Sequence, residues 1–240
     1  MAAPLLQTQD LSMHFGGVRA VRHVNFSLAE GELRCLIGPN GAGKSTFFKM
    51  LTGQLEPTHG QVLFRGQDIS HAHAHDIARL GIGIKTQVPS VFDGLSVREN
   101  IWLAASRLHS GDKTRRAVDE MLERVGLTDA AERLVGQLAH GQRQWVELGL
   151  VLATDPQLIL LDEPAAGMTH EEVNKTAELV REINRTKALI VVEHDMQFIR
   201  MIAQQVTVFN QGSVLVEDSV ENIMRNPQVR DIYLGKQAAA

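Results

Sequence analysis

A glycine-rich segment that ends in lysine and serine carries the pattern Gly-x-x-x-x-Gly-Lys-Ser. It consists of Gly38, Pro39, Asn40, Gly41, Ala42, Gly43, Lys44 and Ser45. Glycines allow the backbone to wrap closely around phosphates, and the segment stands between an apolar run, 33–37, and a helical run, 45–51. We expect Lys44 to reach the β- and γ-phosphates of a nucleotide, Ser45 to place its hydroxyl on Mg²⁺, and Thr46 to bond an α-phosphate oxygen. The order of strand, loop and helix disfavours a chance match.

Two adjacent carboxylates, Asp162 and Glu163, follow the apolar run 158–161. An acidic pair after a strand is by itself more typical of a helix cap or a solvated turn. Next to a phosphate loop, however, a carboxylate at the carboxyl end of a strand can hold Mg²⁺ through water, and a second can orient or deprotonate an attacking water. We therefore assign Asp162 to the metal and Glu163 to the water.

The elements that must position these residues alternate between short apolar runs and helical patterns. This alternation is typical of an α/β fold with strands buried on both faces. The apolar runs are 33–37, 62–64, 158–161, 188–192 and 205–209. Two earlier segments, 5–15 and 21–29, mix polar and apolar positions, with Phe15-Gly16-Gly17 as the turn between them. They predict a small antiparallel sheet beside the main parallel sheet.

From about residue 87 to residue 152, helical patterns replace the strand patterns. Residues 97–108 and 112–125 repeat their apolar side chains at helical spacing, which predicts two helices that each bury one face. This stretch therefore predicts a helical subdomain inserted into the α/β core.

Length and composition exclude several classes of protein. A chain of 240 residues is long enough for one large domain or two interleaved lobes. Its 28 acidic and 24 basic residues give a net charge of −4, which disfavours a general nucleic-acid or membrane-surface binder. Its apolar runs are far shorter than the roughly 20 residues of a membrane-spanning helix. With one cysteine, Cys35, and no visible signal peptide, we expect a cytosolic chain.

The segment Leu138-Ala139-His140-Gly141-Gln142 resembles the LSGGQ signature of ATP-binding cassette (ABC) transporter subunits. Together with the phosphate loop and the acidic pair, it makes the chain similar to this family from end to end. The resemblance implies that the substrate is ATP and that two subunits form a head-to-tail dimer. In that dimer the residues contacting the γ-phosphate of the other subunit's ATP would be Ala139, His140, Gly141 and Gln142. The following helix, expected over 142–153, would direct its positive dipole at this anion.

Three further positions match the family. Gln87 follows the strand expected over 82–85, where the family keeps a glutamine that touches Mg²⁺ and the attacking water. His194 follows the run 188–193 and resembles the switch histidine, which bonds the γ-phosphate. Phe15 resembles the aromatic residue that stacks on adenine, with a core aromatic at a strand end as the alternative. The resemblance thus implies three catalytic residues, Glu163, His194 and Gln87, and three Mg²⁺ ligands, Ser45, Gln87 and Asp162.

The fold implied by the resemblance is α/β, a P-loop NTPase core of the ABC type. It would carry an N-terminal antiparallel β subdomain and an inserted α-helical subdomain. We expect a single domain over 1–240, with 1–86 and 155–240 as the core and 87–154 as the helical subdomain that contains the signature.

Three residues depart from the family pattern. Ala139 stands where the family has serine, which removes a hydroxyl donor, and His140 replaces a glycine. Either the contact across the dimer is weaker or His140 supplies a substitute donor. Thr169 stands where an aspartate usually falls in the segment after Glu163, so the aspartate contact implied for crosstalk between the two ATP sites is missing at this position.

The branch of the family is indicated by the Ala-Gly-Met stretch after Glu163, by the histidine in the signature, by residues 77–83 and by the tail 226–235. These resemble importers of branched-chain amino acids and of urea or short amides, which we rank in that order. An exporter subunit and a soluble ABC ATPase are the other readings. Expected partners are a related but different ATP-binding subunit, two membrane permease subunits and, indirectly, a solute-binding protein, at the cytoplasmic face of the membrane.

A histidine cluster, His71, His73 and His75, lies outside these motifs, with His59 nearby. On a helix His71 and His75 would share a face and could bind Zn²⁺ or Ni²⁺. We favour a solvated segment that opens a helix, because no cysteine or carboxylate in the cluster completes a set of four ligands.

Overall fold

The computed structural model describes residues 3–234 and contains two β-sheets with helices around them. Its strands are β1 (Leu6–Phe15), β2 (Val18–Leu28), β3 (Leu33–Ile37), β4 (His59–Phe64), β5 (Gln67–Asp68), β6 (Ile82–Lys85), β7 (Leu158–Asp162), β8 (Ala188–Val192), β9 (Gln205–Asn210) and β10 (Ser213–Ser219). Its helices are α1 (Lys44–Leu51), α2 (Ala74–Arg79), α3 (Val97–Ala105), α4 (Asp112–Arg124), α5 (His140–Leu152), α6 (His170–Asn184), α7 (Met196–Ile202), α8 (Val220–Arg225) and α9 (Pro227–Leu234). Two 3₁₀ turns, Thr128–Ala130 and Val135–Gln137, lie between α4 and α5.

The larger sheet has the strand order β10-β9-β3-β8-β7-β6. Its pairs from β9 to β6 are parallel, and only β10 runs antiparallel to its neighbour. The smaller sheet has the order β2-β1-β4-β5 and is antiparallel throughout. Both predicted sheets are therefore present, and the fold class is confirmed.

Parallel pairing places the carboxyl ends of β3, β6, β7 and β8 at one edge of the larger sheet. The predicted chemistry-bearing residues lie at or just after the ends of these strands, so the topology gathers at one edge residues that are far apart in sequence. Alternate side chains of the same strands enter two apolar cores. For example, Cys35 and Ile37 face the core formed with α3–α7, whereas Leu36 faces the core formed with α1 and the smaller sheet.

Helix α1 is held beneath the phosphate loop by Phe47, which is fully buried. Its ring centroid lies 5.6 Å from that of Phe26 on β2 and 5.1 Å from that of Phe209 on β9. Burial of such a side chain contributes about 1.5–3 kcal/mol. The aromatic cluster thus fixes α1 against both sheets.

The apolar run 62–64 was expected in the parallel sheet, and this placement is wrong. The run belongs to β4, which pairs antiparallel with β1 and β5 in the smaller sheet. Val62 and Phe64 are buried on one face while Leu63 is only partly buried. A run of three apolar residues does not distinguish a one-sided strand from a two-sided one.

The helical segments also end differently from their predicted bounds. Helix α3 ends at Ala105 rather than at residue 108, and Leu103 and Leu108 are 40% and 54% exposed instead of buried. Helix α5 begins at His140, two residues before the predicted start, because the side chain of Gln142 accepts a bond from the Ala139 N–H at 3.2 Å. The division into the core and the 87–154 subdomain stays a prediction, although α3, α4 and α5 fall within the latter.

In the described part of the chain, residues 3–234, no helix combines the length and the apolar character needed to span a membrane.

Candidate functional site

The phosphate loop connects β3 to α1, and two of its glycines cannot be replaced by a residue with a side chain without a clash. A Cβ atom on Gly38, where φ is +150°, would lie 2.3 Å from the Phe209 carbonyl oxygen. A Cβ on Gly43, where φ is +104°, would lie 2.5 Å from the Ala20 carbonyl oxygen. The loop is thus packed against backbone from β9 and β2, and α1 begins directly after it without a side-chain cap or an acidic residue in its first turn. Its first N–H groups are therefore available to an anion.

Lys44 lies over this loop. Its Nζ donates to the carbonyl oxygens of Gly38 at 2.7 Å and Pro39 at 3.1 Å. Burial lowers the pKa of the Lys44 ammonium below its usual range, whereas the carboxylates of Glu163 and Asp162 act in the opposite direction. The lysine is therefore placed between the loop and the acidic pair, where it can bind a phosphate.

The acidic pair stands at the end of β7. Asp162 is the last residue of the strand, and burial, followed by the neighbouring charge of Glu163, raises its pKa above the usual range. Glu163 has a positive φ of +46°, and its N–H donates to the Val192 carbonyl at 2.9 Å. A non-glycine residue held in this region costs about 1–3 kcal/mol. The fold therefore maintains a strained turn that directs the two carboxylates.

Replacing Asp162 with asparagine is expected to raise the melting temperature of the free chain by a few degrees at pH 8. Because the pKa of the Asp162 carboxyl is higher in the folded chain than in the unfolded chain, its contribution to stability is fully present below the unfolded pKa. This contribution is lost as the pH rises through the folded pKa. Asparagine cannot ionise and avoids this loss, so its advantage should shrink as pH falls toward 5. Thermal unfolding at both pH values checks this, with the exposed Asp129→Asn as the matched control. An advantage that grows toward pH 5 would contradict the assignment.

Gln87 and His194 both reach Glu163. The Gln87 Nε2 donates to Glu163 Oε2 at 2.7 Å, and the His194 Nδ1 lies 3.4 Å from Glu163 Oε1. The three side chains follow β6, β7 and β8, so adjacent strands of the sheet bring them together. Their placement at one point agrees with the predicted site, while their catalytic roles stay predictions.

A buried carboxylate, Glu193, was not predicted as a site residue. It accepts backbone N–H bonds from His194 at 2.8 Å, Asp195 at 3.2 Å and Ala165 at 3.4 Å, and burial raises its pKa. It therefore fixes the turn that carries His194 to the segment that follows Glu163. The sequence gives one signal of this turn, because Asp195 begins α7 as its N-cap.

The signature residues lie at the start of α5 on the helical side of the molecule. Rather than standing free, the His140 Nε2 lies 3.1 Å from the Ala166 carbonyl oxygen and 3.2 Å from the Gln144 Nε2. A Cβ on Gly141 would lie 2.4 Å from a carboxylate oxygen of Glu172, so a larger residue here would displace the Glu172 side chain. The signature thus contacts the segment after Glu163 within the same chain.

Thr169, which stands where the family has an aspartate, caps α6. Its hydroxyl accepts the Glu172 N–H at 3.3 Å, and Glu172 Oε2 accepts the Thr169 N–H at 2.9 Å. This reciprocal arrangement is a capping box, and its Thr-x-x-Glu spacing is readable in the sequence.

Phe15 ends β1 at the turn between β1 and β2 and is 47% exposed. An aromatic ring with half its surface in water can stack on a base, so this position is compatible with the predicted adenine contact, which stays a prediction.

The histidine cluster shows local pairing only. His71 pairs with Glu56, His75 Nε2 lies 3.3 Å from Asp76 Oδ1, and the rings of His73 and His75 stack. Among residues 3–234 no group of three or more His, Cys, Asp or Glu side chains is placed to hold a metal ion.

A glycine-rich phosphate loop at the end of one parallel strand, with an acidic pair at the end of another, defines a P-loop NTPase. The sequence profile of the family described as ABC transporter matches residues 21–166, more than half of the chain. The chain belongs to this family, and it is an ATPase of the ABC type.

Two curated proteins are similar over nearly their whole length. The high-affinity branched-chain amino acid transport ATP-binding protein LivG of Escherichia coli (strain K12) is 37% identical in an alignment 254 residues long. The alignment covers 98% of this chain and 100% of LivG. The lipopolysaccharide export system ATP-binding protein LptB of Acidithiobacillus ferridurans is 33% identical over 235 residues, spanning 97% of this chain and 98% of LptB.

Two solved structures share the fold. The ADP conformation of MJ1267, an ATP-binding cassette of an ABC transporter, superposes with a TM-score of 0.87 at 27% identity, covering 98% of this chain and 100% of that chain. The ATP-binding cassette MJ0796, described as a dimeric post-hydrolysis state bound to ADP and Pi, has a TM-score of 0.81 at 25% identity, covering 90% of this chain and 98% of that chain.

Proposed function

We propose that the chain hydrolyses ATP to energise the import of branched-chain amino acids. The observation that carries the ATPase mechanism is the convergence of Gln87 and His194 on Glu163, beside the phosphate loop. The choice of solute is supported by the similarity to LivG, which covers 98% of this chain and 100% of LivG.

In the proposed reaction, ATP lies on the phosphate loop, with its β- and γ-phosphates against the N-terminus of α1 and the Lys44 ammonium. The carboxylate of Glu163 accepts a proton from the attacking water while the water oxygen bonds to the γ-phosphorus. The bond between the γ-phosphorus and the β,γ-bridging oxygen breaks, and ADP and phosphate leave. The bond from Gln87 and the nearby imidazole of His194 hold this carboxylate in place, and His194 bonds the γ-phosphate. Thr46 bonds an α-phosphate oxygen, and Phe15 stacks on adenine.

The donor set fits Mg²⁺. The carboxylate of Asp162, the hydroxyl of Ser45 and the side-chain oxygen of Gln87 are oxygen ligands of the kind that this ion prefers. Burial and the adjacent Glu163 raise the pKa of Asp162, which reflects a charge that a cation would stabilise. When bound, Mg²⁺ neutralises charge on the phosphates.

The chain acts with a second, related ATP-binding subunit, two membrane permease subunits and, indirectly, a solute-binding protein. Each ATP would lie between one phosphate loop and the signature of the other subunit. The dimeric state of MJ0796 supports the pairing of two cassettes. The complex would place the chain at the cytoplasmic face of the membrane.

Uptake assays test the solute. A strain that lacks the gene should lose most high-affinity leucine uptake and keep urea and acetamide uptake. The wild-type gene should restore the leucine uptake. Loss of urea or amide uptake instead would favour the second importer class. An exporter, which the similarity to LptB makes the main competitor, predicts that leucine uptake is unchanged and that no solute-binding protein is needed.

A further inference from the structure

A buried ion pair lies directly behind the candidate site. Lys85, the last residue of β6, is 1% exposed, and Glu147, in the middle of α5, is 3% exposed. The Lys85 Nζ lies 3.9 Å from Glu147 Oε2 and donates to the Thr86 carbonyl at 3.1 Å. Burial lowers the pKa of Lys85 and raises that of Glu147, so the fold holds this pair against a desolvation cost.

The other oxygen of Glu147 holds the chain on both sides of Gln87. Glu147 Oε1 accepts the Thr86 N–H at 3.3 Å and the Ser90 N–H at 3.0 Å. It also lies 3.1 Å from the Thr86 hydroxyl, which donates to the Val88 carbonyl at 2.8 Å. Thr86 precedes Gln87 and Ser90 follows it by three residues. The position of Gln87, and hence its bond to Glu163, therefore depends on one carboxylate carried by α5.

Glu147 also belongs to a row of side chains along α5. Gln144, which is buried, lies one turn before it and contacts His140 in the signature, and His140 contacts Ala166. Residues three and four apart on a helix are neighbours, so His140, Gln144 and Glu147 form one row. One end of the row contacts the segment after Glu163, and the other end holds the segment around Gln87.

We propose that Glu147, with Lys85, is a positioning residue that ties Gln87 to the signature helix, so that Gln87 reaches Glu163 only while α5 is in place. The inference rests on the proposed function, because it supposes that Gln87 acts in ATP hydrolysis. It assigns to α5 a link between the two ATP sites that does not need the aspartate replaced by Thr169.

Amide hydrogen exchange tests the contact between Glu147 and the segment around Gln87 without a measurement of ATPase activity. In the purified full chain, Glu147→Met removes the acceptor and should raise exchange at Thr86 and Ser90 about tenfold or more. Glu147→Gln keeps an acceptor oxygen and should retain most of the protection. The double variant Lys85→Met/Glu147→Met leaves no unpaired buried charge and should fold, yet it should exchange like Glu147→Met. Unchanged exchange in both Met variants overturns the proposal.

A double-mutant cycle tests the positioning role, in the chain purified with the membrane proteins encoded beside it. Glu147→Met should lower kcat about tenfold at an unchanged KM for ATP, and Glu147→Gln should recover most of it. In a Gln87→Ala background, Glu147→Met should lower kcat by less than about twofold further. An equal loss in both backgrounds overturns the proposal, and so does an unchanged kcat. The exposed Glu120→Met is the matched control.

The two proposals fail separately. Unchanged leucine uptake in the strain that lacks the gene rejects the choice of solute and leaves the exchange result unaffected. If the wild-type complex shows no ATP turnover, the proposed function fails, while exchange at Thr86 and Ser90 still decides whether Glu147 holds this segment.

Discussion

Replacing Glu163 with glutamine is expected to lower ATP turnover by about 10²–10⁴-fold, the range found for loss of a general base, while ATP still binds. The amide is nearly the same size as the carboxylate, and its oxygen can still accept the bond from Gln87, now made at 2.7 Å. The phosphate loop and Lys44 are unchanged, so the affinity for ATP should be retained. What is lost is the ability to accept a proton from water. Phosphate release and nucleotide binding should be measured on the same preparation.

The control for this substitution is Glu171→Gln, which alters an exposed glutamate in the first turn of α6. It should leave both turnover and binding at wild-type values. Rapid hydrolysis by the Glu163→Gln variant would reject Glu163 as the base. Loss of ATP binding would instead indicate that the substitution disturbs the strained turn at this residue, where φ is +46°.

The parts of the fold that were predictable are those that local sequence specifies. The bounds of β3 and β8 were predicted to the residue, because each is a short, mainly apolar run followed by a glycine or a charged residue. The bounds of β6, 82–85, were given only alongside the family resemblance. The phosphate loop was equally readable, since its glycines and lysine stand at fixed spacing. The placement of β4 was not, because sheet membership depends on which strands pair across the chain.

The same distinction applies to the site. Gln87 and His194 were placed from the family resemblance, and nothing in their local sequence shows that both meet Glu163. Lys85 ends a strand of four residues, where a lysine would ordinarily reach solvent. Its burial arises from Glu147, more than 60 positions later, so no local pattern carries it. The cap formed by Thr169, in contrast, was readable from its Thr-x-x-Glu spacing and was missed.

The structure also changes the interpretation of the signature. Ala139 and His140 were expected to weaken the contact with the second subunit's ATP or to supply a substitute donor. His140 lies against Ala166 of its own chain, which links the signature to the segment after Glu163. Whether it also reaches a γ-phosphate in the dimer stays a prediction.

Replacing Lys44 with alanine is expected to weaken ATP binding by about ten- to a hundredfold, because hydrogen bonds to charged groups contribute about 1.5–3 kcal/mol. The Lys44 Nζ already lies over the loop, bonded to the carbonyls of Gly38 and Pro39, so little reorganisation precedes its contact with phosphate. Calorimetric titration with ATP and Mg²⁺ measures the change. Turnover at subsaturating ATP should fall by at least the same factor.

Lys49→Ala is the matched control for Lys44, since it removes a lysine from the same helix whose side chain is exposed. Both variants lower the net charge of α1 by one, so a general electrostatic effect would weaken binding equally in the two. The position of Lys44 between the loop and the acidic pair predicts a large loss for Lys44→Ala alone. Equal losses would mean that the helix attracts the nucleotide through its overall charge, and that the loop lysine makes no specific contact with the phosphates.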